Sequence, residues 1–294
     1  MMLDIDHARR RAAAPGRRAV LVRRAGRAGQ TWLLVMLITL FALWPLYWMV
    51  VQSLQPRGER YLFPPQLLPT EPTFAAFSAI WESTEIVVWL RNTLVVAVCS
   101  AALTLVFAAW GAYAMSRWHT RGVGVAGFLT LATQMMPGIV LMIPIFKAFI
   151  DLGLVGGLHG LVVANFIFAV PVATWMLKSI FDTIPEEIEE AARVDGCNRL
   201  GVLFRITLPL ALPGVVATGV FAFIASWNEY MFARLIITRS TDWVGSMGIA
   251  SFFGELSTPW PEVMAAALVF AAPPVVLFLA FQKYFVAGLA GASK

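Results

Sequence analysis

The chain has 294 residues, of which 59% are hydrophobic and only 13% are charged, and its mean hydropathy is +0.75. Because a soluble domain ordinarily carries about 25% charged residues, this composition excludes an ordinary soluble enzyme and indicates a membrane protein. The net charge of +5 does not predict a nucleic-acid partner, because the basic residues lie beside apolar segments, without the aromatic residues or motif of a binding domain.

Residues 1–30 form a basic leader that contains eight arginines. We predict that this leader is disordered and lies in the cytoplasm near anionic lipid. A cleavable signal peptide is not expected, because the leader is long and the first apolar run lacks a small-residue cleavage site. Residues 31–294 are predicted to form a single transmembrane domain.

Six apolar runs follow, each near the length of about 20 residues that crosses roughly 30 Å of hydrocarbon as a helix. They predict an all-α, polytopic membrane protein with six transmembrane helices. Residues 54–88 contain five prolines and are predicted to form an external loop. A short amphipathic helix is predicted within it, around 74–81. The runs cover about residues 31–53, 91–115, 123–149, 158–181, 210–235 and 262–285.

The distribution of basic residues predicts the topology. Sixteen of the 22 Lys and Arg residues fall in the leader, in the tail, near 117–121 or in the region of the charged loop 183–209, whereas four fall in the alternate loops. Arg91 and Lys147 lie near run ends and are ambiguous. Because Lys and Arg concentrate on the cytoplasmic side of membrane proteins, we expect both termini and the charged loop to be cytoplasmic.

Prolines interrupt several of the apolar runs. The third run is predicted to break at Met136–Gly138 and again at Pro144, and Pro171 and Pro273–Pro274 fall in later runs. Proline in a membrane helix frees a carbonyl that a neighbour, water or a lined cavity must satisfy. Kinked spans suit a protein that moves around a central path, although prolines are also generally frequent in membrane helices.

The charged loop at 183–209 has the pattern of two short helices. Thr183, Pro185 and the acids after it are typical of a helix N-terminus. Gly196 is predicted to end this first helix in a positive-φ conformation. Asn198 is predicted to cap a second helix, which Pro209 is predicted to stop.

One face of each short helix is predicted from helical spacing. On the first helix the small Ala191 and Ala192 leave that face low enough for another surface to approach closely. The loop therefore predicts a rigid docking element at the membrane surface, with an ordinary helical loop as the alternative. The predicted faces hold Ile188, Ala191, Ala192 and Asp195 on the first helix and Leu200, Leu203 and Phe204 on the second.

The spacing Glu190-Ala191-Ala192, Gly196, Ile206-x-Leu208-Pro209 resembles the coupling loop in the permease subunits of ATP-binding-cassette (ABC) importers. The resemblance implies a type I importer permease architecture and a loop that inserts into a cleft on a separate ATPase subunit. It implies that the ATPase-coupling residues are Glu190, Ala191, Ala192, Asp195, Gly196, Ile206, Leu208 and Pro209.

Further segments resemble a narrower group, the carbohydrate-importer permeases of the maltose type, over nearly the whole chain beyond residue 30. The arginine-rich leader is not part of that pattern. The resemblance is carried by Arg91-Asn92-Thr93, Ala112-Tyr113-Ala114, Val194-Asp195-Gly196, Trp227-Asn228-Glu229 and the tail 282–294.

This resemblance implies the partners and the location. The partners are a second, different permease subunit, two ATPase copies that hold ATP and Mg, an external solute-binding protein, and a sugar as substrate. The membrane is the cytoplasmic membrane of a bacterium or an archaeon. The chain itself has no G-x-x-x-x-G-K-[ST] phosphate loop, so we expect it to bind no cofactor and to contain no catalytic residue.

Metal chemistry is not expected either. The histidines His7, His119 and His159 lie at or outside the edges of the apolar runs and do not neighbour a set of carboxylates. Cys99 and Cys197 fall in different environments, so neither a disulfide nor a metal site is predicted.

Polar residues inside the runs are candidates for the substrate path. Asn228 and Glu229 either line this path or form a polar clamp between helices, with Arg234 as a possible partner for Glu229, and we leave both open. Ionisable groups inside a membrane usually face a bundle interior or water. Asn165 is a weaker candidate. The substrate-path candidates are Gln134, Met135, Pro137, Trp227, Asn228 and Glu229.

Alternative functions differ in cargo or in energy source. One alternative is that the same machinery imports a non-sugar solute, such as glycerol phosphate, an amino acid or a peptide. An ion-coupled secondary transporter needs buried coupling carboxylates, and Glu229 alone gives little support for one. A membrane-embedded enzyme needs a paired nucleophile and base within the spans, and the sequence offers none.

Overall fold

The computed structural model describes residues 17–56, 67–254 and 258–291, and these residues form helices joined by short turns and loops. A 3₁₀ turn at Ser240–Asp242 adds to them. In chain order the helices are α1 (Arg17–Ser53), α2 (Ala75–Ser83), α3 (Ile86–Arg117), α4 (Arg121–Met135), α5 (Gly138–Asp151), α6 (Leu158–Phe181), α7 (Glu186–Val194), α8 (Arg199–Leu210), α9 (Leu212–Trp227), α10 (Met231–Ile236), α11 (Gly245–Ala250) and α12 (Trp260–Gly291).

Four of these helices are long and apolar enough to cross a membrane, within α1, α3, α6 and α12. Two bent helix pairs raise the number to six if each pair is one span: α4 with α5, at 108°, and α8 with α9, at 85°. The prediction of an all-helical, polytopic membrane fold is therefore confirmed. The fourth predicted run coincides with α6 at Leu158–Phe181.

Of the two predicted proline breaks in the third apolar run, the structure has one. The chain breaks between α4 and α5, where Met136 and Pro137 are extended, because a residue that precedes proline disfavours the α conformation. Pro144 lies inside α5, so the predicted second break is wrong. Proline has a φ compatible with a helix and removes a single hydrogen bond, which a membrane helix can tolerate.

The structure departs from one predicted apolar run and agrees with the helix predicted in the external loop. The run at 210–235 is interrupted at Asn228–Tyr230, between α9 and α10. The backbone of α1 is helical from Arg17, and residues 1–16 of the leader lie outside the described residues. The amphipathic helix predicted at 74–81 is present as α2, and residues 57–66 of the external loop lie outside the described residues.

The core sits where α3 packs along α6 and α9, with α12 packed on α9. Small residues dominate the contact between α3 and α6, where Ala108, Ala112 and Ala173 are buried beside Leu177. Small side chains allow helix backbones to approach closely, which is how membrane helices gain packing energy. By contrast, the apolar side chains of α1 from Trp32 to Leu46 are mostly exposed, so this helix requires lipid or another subunit around it.

Hydrogen bonds attach the segment after α10 to the start of α3. The Asn92 side-chain amide donates to the carbonyls of Thr241, at 2.9 Å, and Trp243, at 3.0 Å. The hydroxyl of Thr93 accepts from the backbone N–H of Gly245 at 2.9 Å. A Cβ on Gly245 would lie 1.5 Å from the Phe270 ring, so α11 and α12 approach closely only because residue 245 is glycine.

We therefore expect Gly245→Ala to lower the apparent melting temperature of the detergent-solubilised protein by several degrees. Overpacking a buried contact costs about 1–3 kcal/mol, and the Phe270 ring is itself buried. Gly122→Ala is the matched control, because nothing lies within 4 Å of a Cβ at Gly122. Equal melting temperatures for the two variants would contradict this packing.

Candidate functional site

The first helix of the charged loop, α7, begins directly after Pro185 and carries Glu186, Glu187 and Glu189 in its first turn. Acids at this end interact favourably with the helix dipole. Thr183, which the sequence places at the start of this helix, does not cap it, because its hydroxyl donates to the carbonyl of Ile180 at 2.7 Å. Thr183 thus bonds to the end of α6, and α7 has no side-chain cap.

The bend between the two short helices is confirmed. Gly196 has φ of +90°, and its N–H donates to the Arg193 carbonyl at 3.1 Å, while the N–H of Cys197 donates to the Ala192 carbonyl at 3.0 Å. This pair of bonds is the Schellman arrangement, which satisfies the last carbonyls of a helix. The Asn198 side chain caps α8 by accepting from the N–H of Gly201 at 2.7 Å.

The second helix ends at Leu210, one residue after Pro209 and close to the predicted stop. A π-helical segment at Leu203–Thr207 is followed by α-helix to Leu210, and the chain turns by 85° at Ala211 into α9. The N–H of Leu208 donates to the Leu203 carbonyl, five residues earlier. Such π turns often accompany functional sites, and here one lies where the loop joins a membrane helix.

One surface of the loop is exposed and partly apolar, and we call it the loop face. Val194 is 87% exposed, and the apolar side chains of Ile188, Leu200 and Phe204 on the same loop are also exposed; a group of exposed apolar residues is typical of a contact surface. The side chain of Glu190 is 63% exposed and lies 3.4 Å from the guanidinium of Arg193. The loop face consists of Ile188, Glu190, Ala191, Val194, Asp195, Gly196, Leu200 and Phe204.

The predicted coupling residues divide between this surface and the junction behind it. Glu190, Ala191, Asp195 and Gly196 belong to the loop face, and Pro209 is also exposed. The remaining three, Ala192, Ile206 and Leu208, are partly buried. A cleft of about 550 Å³ opens beside Gly196 and extends to Arg205.

The structure reveals one residue that the sequence analysis missed, the buried Glu189, which is only 3% exposed. One carboxylate oxygen accepts from the Arg117 guanidinium at 2.9 Å and from the Thr207 hydroxyl at 2.8 Å. The other accepts from the Tyr113 hydroxyl at 3.0 Å. Glu189 therefore connects α7 to the C-terminal end of α3 and to the π-helical segment of α8.

Arg117 extends this network to the end of α6. Its guanidinium also donates to the carbonyls of Phe181 and Ile184, both at 3.1 Å. The neighbouring Ser116 hydroxyl bonds to the Asp182 carboxylate at 2.6 Å. The sequence signal for this site is the pair Tyr113 and Arg117. They lie four residues apart, so their side chains share one face of α3, where two hydrogen-bond donors can bind one carboxylate.

Both carboxylates remain charged at neutral pH. Burial raises the pKa of Glu189, but the hydrogen bonds from Arg117 and Thr207 outweigh burial and bring this pKa below its ordinary value. At Asp182 burial also raises the pKa, and bonds from Lys178 and Ser116 lower it overall. Because these pKa values are lowered, the network is stabilising above the ordinary carboxyl range and is lost as the pH falls through the depressed values.

A second site is a cavity of about 800 Å³ in the membrane part of the molecule. It is lined where helices are interrupted: by Gln134 and Pro137 at the break between α4 and α5, and by Asn228 and Glu229 at the break between α9 and α10. The structure thus brings these four predicted residues together. Asn165, the weaker candidate, also lines the cavity and donates to the Ser226 hydroxyl at 2.6 Å.

Two predicted path residues do not line the cavity. Met135 is 85% exposed on the surface. Trp227 is 2% exposed and stacks on Phe223, and its indole N–H donates to the Phe270 carbonyl at 3.2 Å. Trp227 therefore belongs to the core between α9 and α12. Neighbouring residues of a helix point about 100° apart, so Trp227 can face the core while the next residue, Asn228, faces the cavity.

Glu229 does not form the predicted clamp with Arg234. Its two carboxylate oxygens accept from the backbone N–H groups of Phe232, at 2.7 Å, and Ala233, at 2.9 Å. The carboxylate therefore satisfies the free donors in the first turn of α10. Among the described residues that line the cavity, Glu229 is the one acidic side chain, and no lysine or arginine is among them.

Comparison with known proteins identifies the relatives of this chain. Residues 105–291 match the family described as "Binding-protein-dependent transport system inner membrane component". The inner membrane ABC transporter permease protein YcjP of Escherichia coli is 35% identical over 258 residues, which cover 87% of this chain and 91% of that relative. The trehalose/maltose transport system permease protein MalG of Thermococcus litoralis is 33% identical over 262 residues, which cover 88% and 94%.

A solved structure has the same fold. It is a bacterial ABC transporter involved in the import of the acidic polysaccharide alginate. One of its chains superposes with a TM-score of 0.76 at 24% identity, covering 90% of this chain and 97% of that one.

The capping contacts of Glu229 predict a stability effect. Glu229→Ala should lower the unfolding free energy by about 1–2 kcal/mol, the usual cost of losing a helix-terminal cap. Asn228→Ala is the neighbouring control, because Asn228 is exposed and its amide bonds only to the Ile224 carbonyl of its own helix. Thermal unfolding in detergent would measure both, and equal stabilities would argue against the cap.

Proposed function

The chain belongs to the family of inner membrane components of binding-protein-dependent transport systems, and from that membership we propose that it forms half of the membrane passage of an importer for a neutral sugar. It is a multi-pass permease subunit of an ABC importer in the inner, cytoplasmic membrane. The alternatives of an ion-coupled secondary transporter and a membrane-embedded enzyme are therefore wrong. The cargo and the composition of the complex are the proposed parts.

The proposed complex contains this chain, a second and different permease subunit, two ATPase subunits and an external solute-binding protein. ATP and Mg are held by the ATPase subunits. The exposed apolar side chains of α1 and α4, such as Phe41 and Phe128, support a contact with lipid or the second permease, because apolar area of this extent is stable only when covered. Both termini and the charged loop face the cytoplasm in this arrangement, as the basic residues favour.

The loop face is the proposed contact with one ATPase subunit. ATP binding closes the ATPase pair, the loop moves with it as a rigid body, and the cavity opens outward to receive sugar. Hydrolysis of ATP returns the cavity to the inward-open arrangement. The Schellman bond pair at Gly196 and the cap at Asn198 support this role, because a helix pair fixed by such bonds transmits displacement better than a mobile loop.

The cargo assignment rests on the composition of the described cavity lining, which holds amide and aromatic side chains and no basic one. Gln134, Asn165 and Asn228 supply amide groups, and Phe168 and Tyr230 supply aromatic rings, which together suit the hydroxyls and apolar faces of a sugar. A phosphate or carboxylate cargo would meet Glu229 with no basic side chain from this chain to offset it. This favours a neutral sugar over glycerol phosphate.

The coupling role predicts the loss of uptake when the loop face is altered. Glu190→Ala and Gly196→Val should each reduce sugar uptake at least tenfold at normal protein levels, because the first removes an exposed contact and the second forces a β-branched residue to φ of +90°. Uptake of radiolabelled sugar by cells that contain the whole transporter measures this. Glu82→Ala removes an exposed acid from α2 and should have no effect. Normal uptake by both loop variants would refute the coupling role.

The cargo assignment is tested with the complete transporter and its binding protein in proteoliposomes. We expect ATP-dependent uptake of a neutral oligosaccharide and none of its uronic-acid counterpart or of glycerol phosphate. Asn228→Ala should raise the sugar concentration for half-maximal uptake several-fold, because it removes an exposed amide from the cavity. Uptake of an anionic solute in preference to every neutral sugar would contradict the proposal.

A further inference from the structure

The buried carboxylate of Glu189 lies between the exposed loop face and the membrane helices. Its neighbour Glu190 points outward, with a side chain that is 63% exposed, whereas the Glu189 side chain is 4% exposed. The two acids therefore face opposite ways on α7. Glu190 is placed to meet a partner, and Glu189 is placed to hold α7 onto its own subunit.

The remaining attachments of α7 are few. Its backbone packs chiefly against α8, which is also part of the charged loop. The bonds of Glu189 to Tyr113 and Arg117 join α7 directly to α3, across more than 70 residues of sequence. Displacement of α7 therefore acts on the C-terminal end of α3 through this carboxylate.

Arg117 passes the same displacement to a second membrane helix. Its guanidinium donates to Glu189 and also to the carbonyls of Phe181 and Ile184, which lie at and just after the end of α6. The Arg117 side chain is 9% exposed, so these bonds are shielded from water and are stronger than bonds on a surface. The ends of α3 and α6 are thus held together with α7.

Thr207 connects the carboxylate to the third membrane element. Its hydroxyl is fully buried and donates to Glu189, and the residue lies in the π-helical segment just before the 85° turn into α9. Since α9 ends at Asn228 and Glu229 on the cavity, α9 spans the distance between the Glu189 network and the cavity.

We propose that Glu189 is the positioning residue that couples movement of the loop to the cavity, by holding α3, α6 and α8 to α7 through Arg117, Tyr113 and Thr207. This inference rests on the proposed coupling function of the loop face. It differs from that function because Glu189 contacts no partner and acts inside the subunit. Loss of its charge uncouples ATP hydrolysis from uptake and leaves ATPase docking intact.

The test compares Glu189→Gln with wild type in the complete transporter reconstituted in proteoliposomes. The readout is the amount of sugar imported per ATP hydrolysed. We expect this ratio to fall at least tenfold while the ATPase subunits still copurify and still hydrolyse ATP. A purely structural loss would lower uptake and hydrolysis together and would leave the ratio of the surviving complexes unchanged.

Controls make the result specific. Glu187→Gln removes an exposed charge from the same helix and should keep the normal ratio. The double variant of Arg117→Met with Glu189→Gln should be no worse than the more impaired single variant, because both changes break the same link. An unchanged ratio in Glu189→Gln would overturn the proposal.

Two further variants test the proposal if the Glu189→Gln protein does not assemble with its partner subunits. Tyr113→Phe and Thr207→Val each remove one donor to the carboxylate, and either should lower the ratio. Normal ratios in both would overturn the proposal. If Glu190→Ala and Gly196→Val also import normally, the coupling role of the loop itself fails. If Glu190→Ala abolishes uptake while the ratio of Glu189→Gln stays normal, only the present inference fails.

Discussion

The ion pair between Glu189 and Arg117 is the interaction on which the charged-loop end of this structure depends. A buried carboxylate is costly unless charged and neutral donors surround it, and Glu189 receives three such bonds from Arg117, Tyr113 and Thr207. Because each donor lies on an element that must stay in place to satisfy the charge, the carboxylate fixes α7 relative to α3 and α8. The exposed loop face is thereby presented on a rigid base.

A second constraint acts inside the membrane part, where backbone groups cannot rely on bulk water. Helices can be interrupted there only where other groups satisfy the free donors and acceptors. At the break between α9 and α10, the carboxylate of Glu229 accepts from the N–H groups of Phe232 and Ala233. The break between α4 and α5 at Pro137 lies on the same cavity. The cavity therefore coincides with the interrupted helices, and its polar lining comes from residues beside these breaks.

Local chemistry explains which predictions succeeded. The bend at Gly196 and the cap at Asn198 depend on one or two residues and their own backbone, and both were predicted correctly. Pro144 was predicted to break a helix and does not, because a proline removes a single hydrogen bond and packing decides whether the helix continues. Thr183 was predicted to mark the start of α7, but its hydroxyl donates to the Ile180 carbonyl of α6 instead.

The sequence by itself determined the membrane class, the positions of the apolar segments and the helix–bend–helix of the charged loop, because hydropathy and turn chemistry are properties of consecutive residues. Only the tertiary structure decided which acid of the run from Glu186 to Glu190 is buried, and that Trp227 packs in the core while Asn228 and Glu229 face the cavity. These outcomes depend on partners far along the chain, such as Tyr113, which lies 76 residues from Glu189. The burial of a charge is set by the groups that surround it in space, and those neighbours exist only once the helices have packed.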